Sequence, residues 1–204
     1  EQNSCYFALA SHINYLNMIY YWLHVIYIFI GSKFFWKKVD LESNLTRKRT
    51  VSLLDCESLR YMANARYFYY MDLIRFEILF RSDLYKNTAT KGMFAVLGSQ
   101  KIIYKKPLKR WTKFNITLVL EGWDEKWVYH RQIFEQRGEV CAIGFTKLAF
   151  WHNRTTQNMR KILADSGVIK TEMDPSPEIL NIFENDYALL KKEVTQSLTI
   201  PHPM

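Results

Sequence analysis

Two carboxylates, Asp55 and Glu57, flank Cys56 in the stretch LLDCESLRYMANARYF, directly before an aromatic run that continues YYMDLIRFEILF. A carboxylate there can act as a general base, and the unpaired N–H groups of a helix beginning near Tyr61 or Met62 favour negative charge beside it. Cys56 is a nucleophile only with a base to take its proton, and no histidine lies nearby in sequence. Purely structural roles are open for the same residues. Asp55 fits a turn residue or helix-entry cap, Glu57 a solvated first-turn charge, and Asn64 a cap or a partner for a neighbouring strand. Arg66 fits an ion pair with Asp72 or Glu77.

These residues need a core to hold them. The 204 residues are enough for one substantial domain with an appendage, and 49% hydrophobic with 16% aromatic residues excludes general disorder. The net charge of +8 permits nucleic acid, anionic lipid or a phosphate-rich cofactor as partners. No nucleic-acid module accompanies it, so nucleic acid is not expected. Cys5, Cys56 and Cys141 are far apart and odd in number, which suggests neither a disulfide framework nor a metal site. No cofactor motif is present. The first residue is Glu1 rather than Met, which fits a processed chain or one whose start lies upstream.

Three segments follow. Residues 1–38 form a hydrophobic helix with a basic flank. YLNMIYYWLHVIYIFIG (Tyr15 to Gly31) approaches the roughly 20 residues needed to span a bilayer, and Lys33, Lys37 and Lys38 follow it, placing the next domain on the cytosolic or matrix side. A helix lying in the headgroups, or buried against protein, is the alternative. His24 within it is a tolerated residue rather than a metal ligand.

Residues 45–151 form the central domain. Arg49 to Leu54 reads as a short strand ending at Asp55. Met62, Ala65, Tyr69, Leu73, Phe76 and Phe80 recur at steps of three and four on a long helix that is apolar almost all round. Met93 to Lys106 is a strand with Gly98 as a possible bulge, and Phe114, Ile116, Leu118 and Leu120 alternate in the next. Two more strands follow after GWDEK and EQRGE, giving an antiparallel meander of four. The expected class is α+β, with an antiparallel sheet wrapped around one long helix. In residues 152–204 the pattern is helical again, with Met159 to Leu163 and Pro177 to Lys192 as helices and Asp174 or Ser176 as the cap of the second. Packing or partner contact is the expected role.

LDCESLRYMANARYFYYMD, YKKPLKRW and GWDEKWVYHRQIF, spread over roughly residues 45 to 151, resemble the thioesterase-like hotdog family, nearest the membrane-associated group of thioesterase superfamily member six. The resemblance implies a hotdog fold, usually dimeric, acting on or descended from enzymes acting on acyl-coenzyme A or acyl-carrier thioesters. It implies a catalytic carboxylate, Glu57 or Asp55, in the loop before the central helix, with the helix N-terminus holding the oxyanion. Asn64 and Tyr61 become substrate-contacting residues, and Lys105 and Arg110 lie in a basic turn that would meet coenzyme A phosphates. Three family positions differ: Tyr61 replaces a histidine, Ala63 an asparagine, and Glu57, one methylene longer, an aspartate. The expectation is therefore a membrane-associated hotdog protein with a degraded signature, a non-catalytic subunit of a membrane complex. The alternative is an active acyl-coenzyme A thioesterase with its acyl chain in an apolar cleft beside the helix. A homodimer, or a hetero-oligomer with another hotdog protein, in the endoplasmic reticulum or mitochondrial inner membrane completes the expectation. Asn44, Asn115 and Asn153 head glycosylation patterns that would go unmodified in cytosol or matrix.

Overall fold

The computed structural model describes residues 2–57, 59–168 and 173–197, with side chains described between Met18 and Val194 inside those limits. The side chains of Cys5 and His12 lie outside the described residues. The chain opens with α1 (Gln2–Phe34), then β1 (Leu45–Thr50), a 3-10 turn (Leu53–Asp55), α2 (Asn64–Arg81), α3 (Leu84–Asn87) and a second 3-10 turn (Ala89–Lys91). The strands β2 (Phe94–Tyr104), β3 (Lys113–Trp123), β4 (Val128–Gln136), β5 (Glu139–His152) and the short β6 (Thr155–Thr156) follow, then α4 (Met159–Asp165), α5 (Pro177–Phe183) and α6 (Asp186–Ser197).

The main strands pair antiparallel in the order β1-β3-β4-β5-β2, with β6 on β5. This corrects the four-strand meander: β3, β4 and β5 are successive neighbours, but β2 lies beyond β5 at the far edge. The reason is the connection between β2 and β3. It runs through Pro107, and the N–H groups of Lys105 and Lys106 bond the Cys141 carbonyl at 2.8 and 3.0 Å, so it crosses the sheet end instead of closing a hairpin. The first strand also lies earlier than expected, ending at Thr50, because Leu53 to Asp55 wind into the 3-10 turn. Gly98 does interrupt β2: the register with β5 shifts between Leu97 and Ser99, and the Trp127 ring occupies the space where a Cβ would project.

The alternation in β3 is as expected, with Phe114, Ile116 and Leu118 buried in the concave face. Against them packs α2, whose Tyr67 meets Phe134 and whose Tyr70 meets Phe114 at ring distances of 5.0 and 5.2 Å. The stripe drawn through Tyr69, Phe76 and Phe80 is real but faces the other way. It packs on α1, through Tyr21 to Tyr69 at 5.8 Å and Phe29 to Phe80 at 5.2 Å. A helix apolar all round is explained by two covers, the sheet on one side and α1 on the other.

Among the described residues no helix is long and apolar enough to cross a membrane; the segment Tyr15 to Gly31 read as a bilayer span lies in part outside the described side chains. Val25 and Ile28 are buried in the core, while Met18, Ile19, Trp22, Leu23, Ile26 and Ile30 remain exposed along the helix.

Of the C-terminal helices, α4 packs into the main core through Met159, Ile162 and Leu163, and α5 covers the convex face. Ser176 caps α5 by accepting from the Ile179 N–H at 3.3 Å, with Pro177 in the first turn. Ile179 and Phe183 then bury against Tyr129, and Trp127 and Phe145 pack beside them. The expected single helix from Pro177 is broken after Phe183. The break lets Asp186, at the start of α6, pair with Lys101 at 2.7 Å and Lys147 at 3.1 Å on the sheet.

Candidate active site

The loop between β1 and α2 holds the two carboxylates very differently. Asp55 is 0% exposed. Its Oδ2 accepts from the Ser52 N–H at 2.8 Å, the Ser52 hydroxyl at 2.7 Å and the Tyr70 hydroxyl at 3.0 Å. Its Oδ1 lies 3.8 Å from Arg66 Nε, and its backbone carbonyl accepts from the Ala63 N–H at 2.8 Å. The partner expected for Arg66 was Asp72 or Glu77, and the structure corrects this: Asp72 pairs with Arg75, and Glu77 with Arg47 and Arg81. Burial, reinforced by the neighbouring Asp55 charge, pushes the Tyr70 phenol well above its ordinary range, so it remains a donor to Asp55. Asp55 thus closes the 3-10 turn and ties it to α2.

Glu57 is exposed in the bend that follows. Cys56 donates its thiol to the Ser52 carbonyl at 3.3 Å, and burial, with Asp55 adding, pushes that thiol up and away from the reactive thiolate. Tyr61 is exposed and pairs as a backbone bridge with Lys109. The helix begins at Asn64, two or three residues later than expected, because Tyr61 and Met62 are engaged in these bridges. Ala63 at the N-cap has no side-chain oxygen to offer, so the first turn of α2 lacks a side-chain cap there.

Arg110 meets this loop directly, its N–H donating to the Arg60 carbonyl at 2.9 Å and its guanidinium stacking 5.7 Å from the Trp111 ring centre. Lys105 is exposed at the other end of the turn, beside Cys141, and Lys106 pairs with Glu139. The structure therefore gathers Asp55, Glu57, Tyr61, Asn64 and Arg110 around one corner and leaves Lys105 apart. Among the described residues no group of His, Cys, Asp and Glu could hold a metal ion.

The apolar cleft beside the helix exists, with a volume of about 280 Å³, but none of the corner residues lines it. It lies farther along α2, where Asp72 is roughly 12 Å from Asn64 at 1.5 Å per residue. Its apolar walls include Phe76, Leu118 and Leu148, and its polar groups are Tyr21 and Ser43 together with the trio Asp72, Arg75 and His130. The sequence pattern gave no sign of these three as a group, since His130 is far from the other two in the chain. Only its place in β4, opposite Thr146 of β5, puts it over α2.

An antiparallel sheet curled around a central helix, with a loop carboxylate at the helix entry, is the hotdog arrangement of thioesterases. The chain belongs to the thioesterase-like superfamily, which matches residues 51–181. It is 25% identical to Protein THEM6 of Drosophila melanogaster over 146 residues, covering 70% of this chain and 74% of that protein. To Protein THEM6 of Xenopus laevis it is 34% identical over 80 residues, or 39% of each. Among solved structures, the probable thioesterase YbaW from Escherichia coli superposes with a TM-score of 0.56 at 16% identity, covering 64% of this chain and 99% of that one. A protein from Staphylococcus aureus solved in complex with CoA superposes at 0.53 and 15% identity, covering 71% and 96%.

Proposed function

We propose that this protein is a membrane-surface member of the thioesterase-like superfamily that has lost hydrolysis at its loop site and serves as a structural subunit of a membrane assembly. The observation that carries this reading is the burial of Asp55: it is 0% exposed, its Oδ2 accepts three hydrogen bonds and its Oδ1 is enclosed beside Arg66 with no hydrogen bond, so the carboxylate is out of reach of a thioester or a water. Tyr61 and Ala63, where the family has a histidine and an asparagine, leave Glu57 without the polar neighbours that would aim a water.

The exposed face of α1 supports the membrane. Met18, Ile19, Trp22, Leu23, Ile26 and Ile30 recur at helical spacing, and Lys33, Lys37 and Lys38 follow. That is the composition of a helix lying in the headgroups of an anionic membrane; the endoplasmic reticulum or the mitochondrion, on the cytosolic or matrix side, is the location proposed. The long edge strand β2 exposes Phe94, Leu97, Ile103 and Tyr104, which supports pairing with a second hotdog chain. The kinship with proteins solved with CoA keeps acyl-coenzyme A as the ligand of the second reading, in which Glu57 is the base and Asn64, Tyr61, Lys105 and Arg110 contact substrate.

Flotation with anionic vesicles tests the membrane arm: the wild type is expected to float, and a Trp22→Ser, Ile26→Ser double variant to lose most of its binding. The native mass of the detergent-extracted protein tests the subunit arm. A particle well above two 24.4 kDa chains is expected, whereas a free dimer with Glu57-dependent turnover would overturn the proposal.

A further inference from the structure

α6 stands over the open edge of the sheet, after residues 51–181, the part shared with the superfamily. Ile179 and Phe183 of α5 pack on Tyr129 of β4. The chain then crosses toward β2, where Lys101 donates to the Ile182 carbonyl and pairs with Asp186 at 2.7 Å. β2 is the last strand in the order β1-β3-β4-β5-β2, and among the described residues no strand pairs with its outer side. Past Asp186 the helix carries Tyr187, Leu190 and Val194, which are 72, 60 and 52% exposed. Steps of three and four put them on one stripe, the pattern by which one helix packs on another. At about 100° per residue the stripe is turned roughly 40–100° from Asp186, which points at the sheet. It therefore faces sideways, clear of its own sheet.

We infer that α6 is a clasp between two copies of this chain, in which the stripes of two α6 helices pack on each other across a two-fold axis. The inference rests on the side-by-side pairing through β2 in the proposed function, and extends it. Two β2 strands that pair antiparallel within one continuous sheet have their two-fold axis normal to that sheet. Every layer then stays on its own side. α1, which packs on the outer face of α2, lies on the same side in both chains, where one flat membrane meets both. α5 and α6 lie on the convex side, away from that membrane, and the two α6 helices stand beside the axis because each starts over β2. A second copy, and not lipid, is what the stripe meets there. Edge pairing alone is a narrow contact, whereas specific interfaces bury about 1,200–2,000 Å². A pair of helices, each about 18 Å long, widens it with apolar surface.

The test is sedimentation of the recombinant full chain in maltoside detergent over a dilution series, beside flotation with anionic vesicles. The wild type is expected to dimerise, and Leu190→Lys to weaken the dimer at least about a hundredfold, because two leucines leave the contact at once. Leu189→Lys is the control: Leu189 is 62% exposed but off the stripe, and its replacement should leave the dimer unchanged. Both variants should melt like the wild type when diluted to monomer, which separates a lost clasp from a lost fold. A dimer that Leu190→Lys leaves intact, or that both variants weaken equally, would overturn the clasp and leave pairing through β2 standing. A wild type that stays monomeric at every concentration would overturn that pairing, and the clasp with it. Loss of flotation on Leu190→Lys would place α6 on the membrane and overturn the clasp as well.

Discussion

Replacing Glu77 with alanine is expected to lower the unfolding free energy by about 3–5 kcal/mol, the range for removing one partner of a buried ion pair. Glu77 is 1% exposed in the middle of α2. Arg47 of β1 donates from Nε to both carboxylate oxygens at 2.6 Å, and Arg81 donates from Nη1 at 2.6 Å. The two guanidinium groups lie 4.5 and 5.9 Å from the Trp36 ring centre. One carboxylate therefore joins the edge strand, the central helix and the segment after α1. Without it, two cations face each other beneath an indole with nothing to neutralise them. At about 2–4 °C per kcal/mol for a chain of this size, thermal unfolding should move down by roughly 10 °C. Replacing Glu77, Arg47 and Arg81 together with apolar residues should cost much less. A Glu77→Ala protein within 2 °C of wild type, on the same roughly estimated scale, would show that the triad is not buried in solution.

The second large effect is on acid stability. His130 is neutral in the fold, its pKa pushed down to about 3 by burial and by the nearby Arg75 cation, whereas an unfolded histidine titrates near 6.5. Between these values the unfolded chain binds a proton at this residue and the native chain does not. Stability is therefore fully present above about pH 6.5 and falls as pH drops toward 3, by up to about 1.4 kcal/mol per pH unit. Asp72, held above the usual carboxylate range by burial despite Arg75, acts in the opposite direction, because the fold takes its proton more readily. Denaturation of the wild type and His130→Phe across this range isolates the histidine: the variant should have a shallower slope between pH 6 and pH 4, a window lying between the two values above. Parallel slopes would contradict the burial of a neutral imidazole.

Local features of the fold were legible in the sequence, and long-range ones were not. The alternation of Phe114, Ile116 and Leu118, the interruption at Gly98 and the Ser176–Pro177 start of α5 each depend on a few neighbouring residues. The pairing of β2 with β5 depends on where the connection through Pro107 carries the chain, which no local pattern records. The stripe of α2 was ambiguous because both faces are covered, and the apolar content of α1 reads alike for a spanning helix and for one packed on one side. At the site, the corner was legible because Asp55, Glu57, Tyr61 and Asn64 are contiguous and Arg110 sits in a recognisable turn. The burial of Asp55 under Tyr70 and Ser52 was not, and neither was the meeting of Asp72, Arg75 and His130, which only the β4–β5 register creates.

Turnover of a series of acyl-coenzyme A substrates by the wild type, Asp55→Ala and Glu57→Ala bears most directly on the claim that the loop site has lost its chemistry. No hydrolysis above background is expected for any of the three, together with a lower melting temperature for Asp55→Ala alone, since Asp55 holds the turn and Glu57 makes no bond among the described residues. Hydrolysis by the wild type that Glu57→Ala abolishes, without loss of stability, would contradict it.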